Sequence, residues 1–230
     1  MLGTIVNTVT VVIGALLGCL LKERFSENIK NTVMHGLTLT VMLIGISMAI
    51  STSNFLIVTL SMVIGGIIGE LLKIEDRLNA FGNQLEARFA KEDGNFTKAF
   101  VSASLVYCVG AMAILGAIQS GLSGDHSTLF VKSILDGVSA IVFSSTLGIG
   151  VAFAAIPVFL YQGAIALGAA SVKAFITDTI ITEMTATGGL LIFAIGINLL
   201  GLNVKIKVGN LLPAVLVAVI LARLFAVLPI

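Results

Sequence analysis

Asp136, Arg223 and Asn7 are the polar residues of this sequence that most need an explanation, because each falls in a stretch that is otherwise apolar. An ionised side chain surrounded by hydrocarbon is costly, so it marks a partner or a function. An Asp136–Arg223 pair would neutralise both charges and join the helices that carry them. The alternative is that Asp136 snorkels or caps near its own helix end. A second group is Ser144, Ser145 and Thr146, followed by Gly148 and Gly150. Hydroxyls beside glycines suit a broken helix, since they re-satisfy backbone groups freed by an irregular turn. Gln162 follows Pro157 and brings a primary amide that needs several partners, while Pro157 favours a kink. Together these residues describe a polar pocket near the middle of a membrane. The competing reading is close packing, in which small residues let helices approach and hydroxyls bond across them.

A third group runs Glu183-Met184-Thr185-Ala186-Thr187-Gly188-Gly189. Thr185 or Thr187 reads as a helix cap, with Glu183 favoured by the helix dipole. Functionally, a helix start at Thr187, Gly188 and Gly189 would offer free N–H groups to an anion. Asn210, three residues before Pro213, also reads as a helix cap. Signatures of enzyme chemistry are missing. HExxH, GxSxG and Walker spacings are absent. Cys19 and Cys108 have no metal-ligand spacing, and His35 and His126 fall on opposite membrane sides. No catalytic residue, metal or cofactor is assigned, and the chain is expected not to be an enzyme.

The elements that must position these residues are membrane spans. Hydrophobic residues make up 57% of the 230, charged residues only 11%, and the mean hydropathy is +1.11. Average soluble domains carry roughly 25% charged residues, and a span needs about 20 apolar ones. The runs predict an all-α integral membrane protein of eight spans: Leu2–Leu21, Gly36–Ile50, Phe55–Leu72, Ala99–Ile118, Ser133–Val151, Phe153–Ala170, Ala186–Leu200 and Leu211–Leu228. They form a single transmembrane domain over 1–230, with the lipid bilayer as partner. The first run lacks a basic start and a cleavage site, so it reads as retained. With a net charge of +1, nothing points to nucleic acid.

Basic residues orient the chain. Lys22, Arg24, Lys30, Lys73, Arg77, Arg88, Lys91, Lys98, Lys205 and Lys207 share one side; Lys132, Lys173 and Arg223 fall towards the other. The positive-inside rule places the ten in the cytoplasm. A multi-pass protein of the plasma membrane with both termini outside follows. Residues 73–98 then form a cytoplasmic connector in which Ile74, Leu78, Phe81, Leu85 and Phe89 make one apolar helical stripe. It is an interfacial extension of the third span or a partner-docking helix, ended by the turn Glu92-Asp93-Gly94-Asn95.

Internal similarity adds a symmetry. Leu39, Ile44, Gly45 and Ile46 recur as Leu190, Ile195, Gly196 and Ile197 at an offset of 151, and Gly14-Ala15 recurs as Gly163-Ala164. Spans one to three would map onto six to eight with reversed direction, an inverted repeat with a binding site at short, Gly-rich segments. Gly14/Gly18 and Gly65/Gly69 are GxxxG packing faces, and with a narrow bundle they suggest a homodimer.

Ser133-Ile134-Leu135-Asp136-Gly137, Ser145-Thr146-Leu147-Gly148-Ile149-Gly150 and Ile156-Pro157-Val158-Phe159-Leu160-Tyr161-Gln162-Gly163 resemble the YqgA/YdfK-like family of prokaryotic membrane proteins. So do Thr185-Ala186-Thr187-Gly188-Gly189, Gly209-Asn210-Leu211-Leu212-Pro213 and the N-terminal Gly3-Thr4-Ile5-Val6-Asn7. The likeness covers essentially the whole chain. It implies a bacterial integral membrane protein of unknown function and supplies no substrate. The resulting expectation is a secondary transporter or permease for a small solute or ion. Asn7, Asp136, Ser144, Ser145, Gln162, Thr187, Gly188 and Gly189 would line its path. The alternative is a membrane scaffold or regulatory subunit that docks partners through 73–98.

Overall fold

The computed structural model describes residues 1–22, 27–89, 95–173, 177–202 and 205–227, and within them the chain is helical with no strand. Arg24, Lys91 and the Glu92-Asp93-Gly94 portion of the expected turn lie outside the described residues. The elements are α1 (Leu2–Lys22), α2 (Glu27–Ala49), α3 (Phe55–Leu72), α4 (Ile74–Phe89), α5 (Phe96–Cys108), α6 (Ala111–Leu122) and α7 (Ser127–Leu147). Then follow α8 (Gly150–Phe153), α9 (Ala155–Leu167), α10 (Ala169–Lys173), α11 (Asp178–Leu199), α12 (Val208–Leu211) and α13 (Pro213–Val227).

Each break has a local cause. Asn54 caps α3 by accepting from the Leu56 N–H. Lys73 ends α3 in the left-handed region, with φ 51°. Gly110 (φ 139°) separates α5 from α6, and Gly148 (φ 91°) ends α7. Pro157 lies in the first turn of α9, where a missing N–H costs nothing, so it marks a helix start and not the expected kink.

Several expected boundaries move. The second span begins earlier, since α2 starts at Glu27. The fifth and sixth spans shift towards the N-terminus, to Ser127–Leu147 and Gly150–Leu167. The seventh is longer, because Thr177 caps α11 and the helix runs from Asp178. The expected broken helix is also relocated. Ser144, Ser145 and Thr146 close α7, whereas the break lies in the fourth span, where α5 and α6 meet at 60°.

Among the described residues, seven helical stretches are long and apolar enough to cross a membrane, and the bent α5–α6 pair makes an eighth if it crosses once. Contacts inside the molecule settle its parity. Lys207 and Asn210, ahead of α13, bond Glu70 at the end of α3. Those two ends therefore lie on one membrane side, which requires an even number of crossings between them. The stretches Ser127–Leu147, Gly150–Leu167 and Asp178–Leu199 supply three, so α5–α6 must supply the fourth. Gly3 packing beside Leu129 and His126 gives the same parity for the start of the chain.

The chain divides into two compact units. The first comprises residues 1–37, 79–108 and 112–175; the second comprises 38–78, 109–111 and 176–230. In the first, α1 packs along α7 and also against α9. Small residues allow this: a Cβ at Gly14 or Gly18 would collide with the backbone of Gly137 or Ile141. In the second, Gly65 and Gly69 of α3 are pressed against Ala214 and Asn210 in the same way. Both GxxxG faces are thus used within single units, which removes the motif that suggested a homodimer.

The spanning helices invert the surface of a soluble protein, turning large apolar side chains outward. Thr4, Asn7, Val11 and Ala15 of α1 are buried, while Leu2, Ile5, Val9, Ile13 and Leu16 are exposed. That inversion matches lipid as the surrounding solvent.

Candidate functional site

The first unit holds a buried ion pair. Lys132 Nζ lies 2.6 Å from Asp136 Oδ2, and each residue is 7% exposed. The two are four apart on α7, so they share one helix face. That face also carries Ser133, Gly137 and Ala140 and is buried, whereas Val131, Ile134, Leu135 and Val138 face outward. Asp136 is the tenth of the 21 residues of α7. It is therefore near mid-span, and not one turn from the helix end.

α1 supplies the third member. Asn7, fully buried, donates from Nδ2 to the same Asp136 Oδ2 at 3.0 Å. The glycine contacts between α1 and α7 bring these helices close enough for that bond. Around the trio, Ser139 Oγ donates to the Asp136 carbonyl at 2.9 Å and lies 3.5 Å from the hydroxyl of buried Tyr107. Tyr107 packs edge-on against Phe143, with ring centroids 6.2 Å apart. Tyr107 and Cys108 are the last residues of α5, so the helix break comes directly after the cluster.

Much of the cluster's hydrogen-bonding capacity is unused among the described residues. Asn7 Oδ1 and Thr4 Oγ1 are buried without a partner, as are both amide atoms of Gln162. Gln162 lies on the buried face of α9, and its neighbour Gly163 sits beside Met1, just ahead of α1. Both bonds to the Asp136 carboxylate land on Oδ2. Lys132, with three N–H donors, has one acceptor. Buried polar groups are normally satisfied, so the open Asn7 acceptor beside the ion pair marks the site; among the described residues the buried hydroxyls of Thr38, Ser61, Thr185 and Thr187 in the second unit are without a partner as well.

The other expected residues have different roles. Ser144 Oγ lies 2.7 Å from the Ala15 carbonyl and 3.1 Å from that of Gly148, so it stitches α7 to α1. Ser145 bonds the Val142 carbonyl one turn back on its own helix. Both follow the packing reading. Arg223 is exposed and belongs to the second unit, and the partners of Asp136 are Lys132 and Asn7; the expected Asp136–Arg223 pair is corrected accordingly. Thr187, Gly188 and Gly189 are buried in the middle of α11, so the open helix start for an anion does not form. Gly189 instead admits the backbone of Gly45 and Ala49 on α2.

Two polar arrangements in the second unit are new. Glu183, fully buried in α11, accepts from Thr52 Oγ1 at 2.6 Å, Ser53 N at 2.9 Å and Asn54 N at 3.2 Å. It holds the turn between α2 and α3. Asn210 does cap a helix, but that helix is α4. Its Oδ1 accepts from Glu75 N at 2.7 Å, and Glu75 Oε2 accepts in return from Gly209 N at 2.7 Å. Asn210 Nδ2 also donates to Glu70 at 2.6 Å, beside the exposed Lys207–Glu70 pair that raises the Lys207 ammonium's pKa. Two grooves, of about 520 and 580 Å³, open on the units. They are lined by apolar side chains such as Val12, Ile156 and Leu160, and Ile46, Val63 and Phe193. Neither includes a residue of the cluster.

Comparison with known proteins places the whole chain. The family model described as "Protein of unknown function (DUF554)" matches residues 2–223. The uncharacterized membrane protein YdfK of Bacillus subtilis (strain 168) is 33% identical over 221 residues, covering 94% of this chain and 93% of its own. The uncharacterized protein YqgA of Escherichia coli (strain K12) is 31% identical over 222 residues, covering 94% of each chain. No solved structure matches. With the match running over nearly all of its length, and with helices built for lipid, this chain belongs to the DUF554 family of membrane proteins of unknown function.

Proposed function

We propose that the protein is a secondary transporter for a small solute, with its polar site at Asn7, Lys132 and Asp136. The carrying observation is the buried ion pair at mid-span, bonded by Asn7, whose own amide oxygen is buried without a donor. A charged pair in lipid is retained at a cost unless it works on something. The helix break after Cys108 supports the same reading, because discontinuous helices accompany binding sites in transporter folds. With no nucleotide-binding motif in the sequence, movement of the solute is passive or driven by an ion gradient. No enzyme chemistry is assigned.

The basic residues orient this transporter in the plasma membrane with both termini outside and α4 in the cytoplasm. An inverted repeat is part of the proposal. It is supported by the matched glycines: Gly45 packs on Phe193 and Gly196 on Met42, two reciprocal contacts related by the offset of 151. The scaffold reading is weaker. The first turn of α4 is held by Asn210, and Phe81 stacks on Phe100 at 5.9 Å, so part of its stripe is already engaged.

The test compares solute pools inside and outside bacterial cells that carry the protein, lack it, or carry Asp136→Asn. Transport requires at least one small polar solute to shift on deletion and to shift the same way in the variant. Indistinguishable pools in all three strains across growth conditions would refute it.

A further inference from the structure

We propose that the solute is a small zwitterion carrying both an ammonium and a carboxylate, bound by opening the Lys132–Asp136 pair around it. This rests on the transport reading above and specifies its substrate class.

The unused groups at the cluster are of two kinds. Lys132 offers two N–H donors beyond the one given to Asp136. Asp136 Oδ1 accepts no bond among the described residues, and Asn7 Oδ1 is a buried acceptor without a donor. Spare cationic donors call for a carboxylate. Spare acceptors on a carboxylate and an amide call for an ammonium. A ligand with both ends meets both demands, one at each pole of the existing pair.

Charge balance selects the same class. The pair is neutral as it stands. An anion alone would satisfy Lys132 and strand Asp136, and a cation alone would do the reverse; either leaves an uncompensated charge in a low-dielectric site. A zwitterion exchanges one ion pair for two and keeps the site neutral. The geometry permits the exchange. Lys132 and Asp136 are linked only through α7, and the long lysine stem lets Nζ swing while Asn7 Nδ2 keeps hold of Asp136. The ligand must be small, because α1 and α7 are in backbone contact beside the site at Gly14 and Gly18.

The test uses purified full-length protein in mild detergent and follows its unfolding midpoint against matched probes. These are glycine and L-alanine, with both charged ends; acetate and methylammonium, with one each; acetamide, with none; and glycine betaine, whose cation has no N–H. Saturable rises of roughly 3 °C or more are expected with glycine or L-alanine. The other four should give no rise, and the charge-free double variant Lys132→Met/Asp136→Leu should lose the response. A rise with acetate or methylammonium alone that matches the zwitterions overturns the substrate class and leaves the transport reading standing. A response that persists unchanged in the double variant places binding elsewhere and overturns the inference. No rise with any probe also overturns it, as expected if ordered water alone fills the spare groups. Only when the solute pools are unchanged as well does the transport reading fall with it.

Discussion

At the residue scale, two buried carboxylates among the described residues, Asp136 and Glu183, keep different company. Asp136 has a cation beside it, and Glu183 has three neutral donors from one turn. Removing one member of a buried ion pair strands the other, at about 3–5 kcal/mol. Asp136→Leu and Lys132→Met should each lower folded yield and unfolding midpoint in detergent. The double variant should be milder than the worse single one, since no charge is left alone. Equal or additive losses would show that the two charges do not support each other. Glu183→Ala leaves the Ser53 N–H and the Thr52 hydroxyl without their acceptor, and the Asn54 N–H with Thr52 Oγ1 alone, worth about 3 kcal/mol. Protease cleavage in the Ser51–Asn54 turn should increase in that variant, and unchanged cleavage would contradict the holding role. The sequence made Asp136 and Asn7 legible, because a lone polar residue in an apolar run stands out. It hid Lys132, because starting the span at Ser133 placed that lysine outside the membrane. The i, i+4 spacing of Lys132 and Asp136 was the available signal.

At the element scale, α1 and α7 define the site through their separation. Gly18 meets the Ile141 carbonyl, and Ser144 bonds Ala15, so a side chain at Gly18 must force the helices apart. Gly18→Leu should cost more than 3 kcal/mol as overpacking against backbone and should lower the unfolding midpoint. The same change at Gly36, where a Cβ meets nothing, should have little effect. Hydropathy gave the third span to the residue, because Asn54 and Lys73 bound it with polar groups. It misjudged the seventh, because Glu183 and the threonines look like loop until the Thr52–Asn54 turn is seen to satisfy the Glu183 carboxylate. The bend after Cys108 was invisible: Val109-Gly110 sits in unbroken apolar sequence, and only the backbone angle of Gly110 reveals it.

At the scale of the whole molecule, the contacts between the ends of α3 and α13 call for eight crossings, with α5–α6 passing through once. In a background lacking Cys19 and Cys108, a cysteine at Asn95 should label only from the cytoplasm and one at Ser123 only from outside. Labelling of both from one side would make α5–α6 re-entrant and would break the parity fixed by the Glu70, Lys207 and Asn210 contacts. On the proposed function, the Asn7–Lys132–Asp136 cluster exists to handle a solute and not merely to hold α1 against α7. The most direct measurement puts Lys132→Met/Asp136→Leu into cells that lack the protein. It compares membrane-inserted, folded protein with the intracellular and extracellular solute pools. A transport role for the cluster predicts folded protein near the wild-type amount together with the solute pools of the deletion strain. Folded double variant that restores the wild-type pools would contradict it.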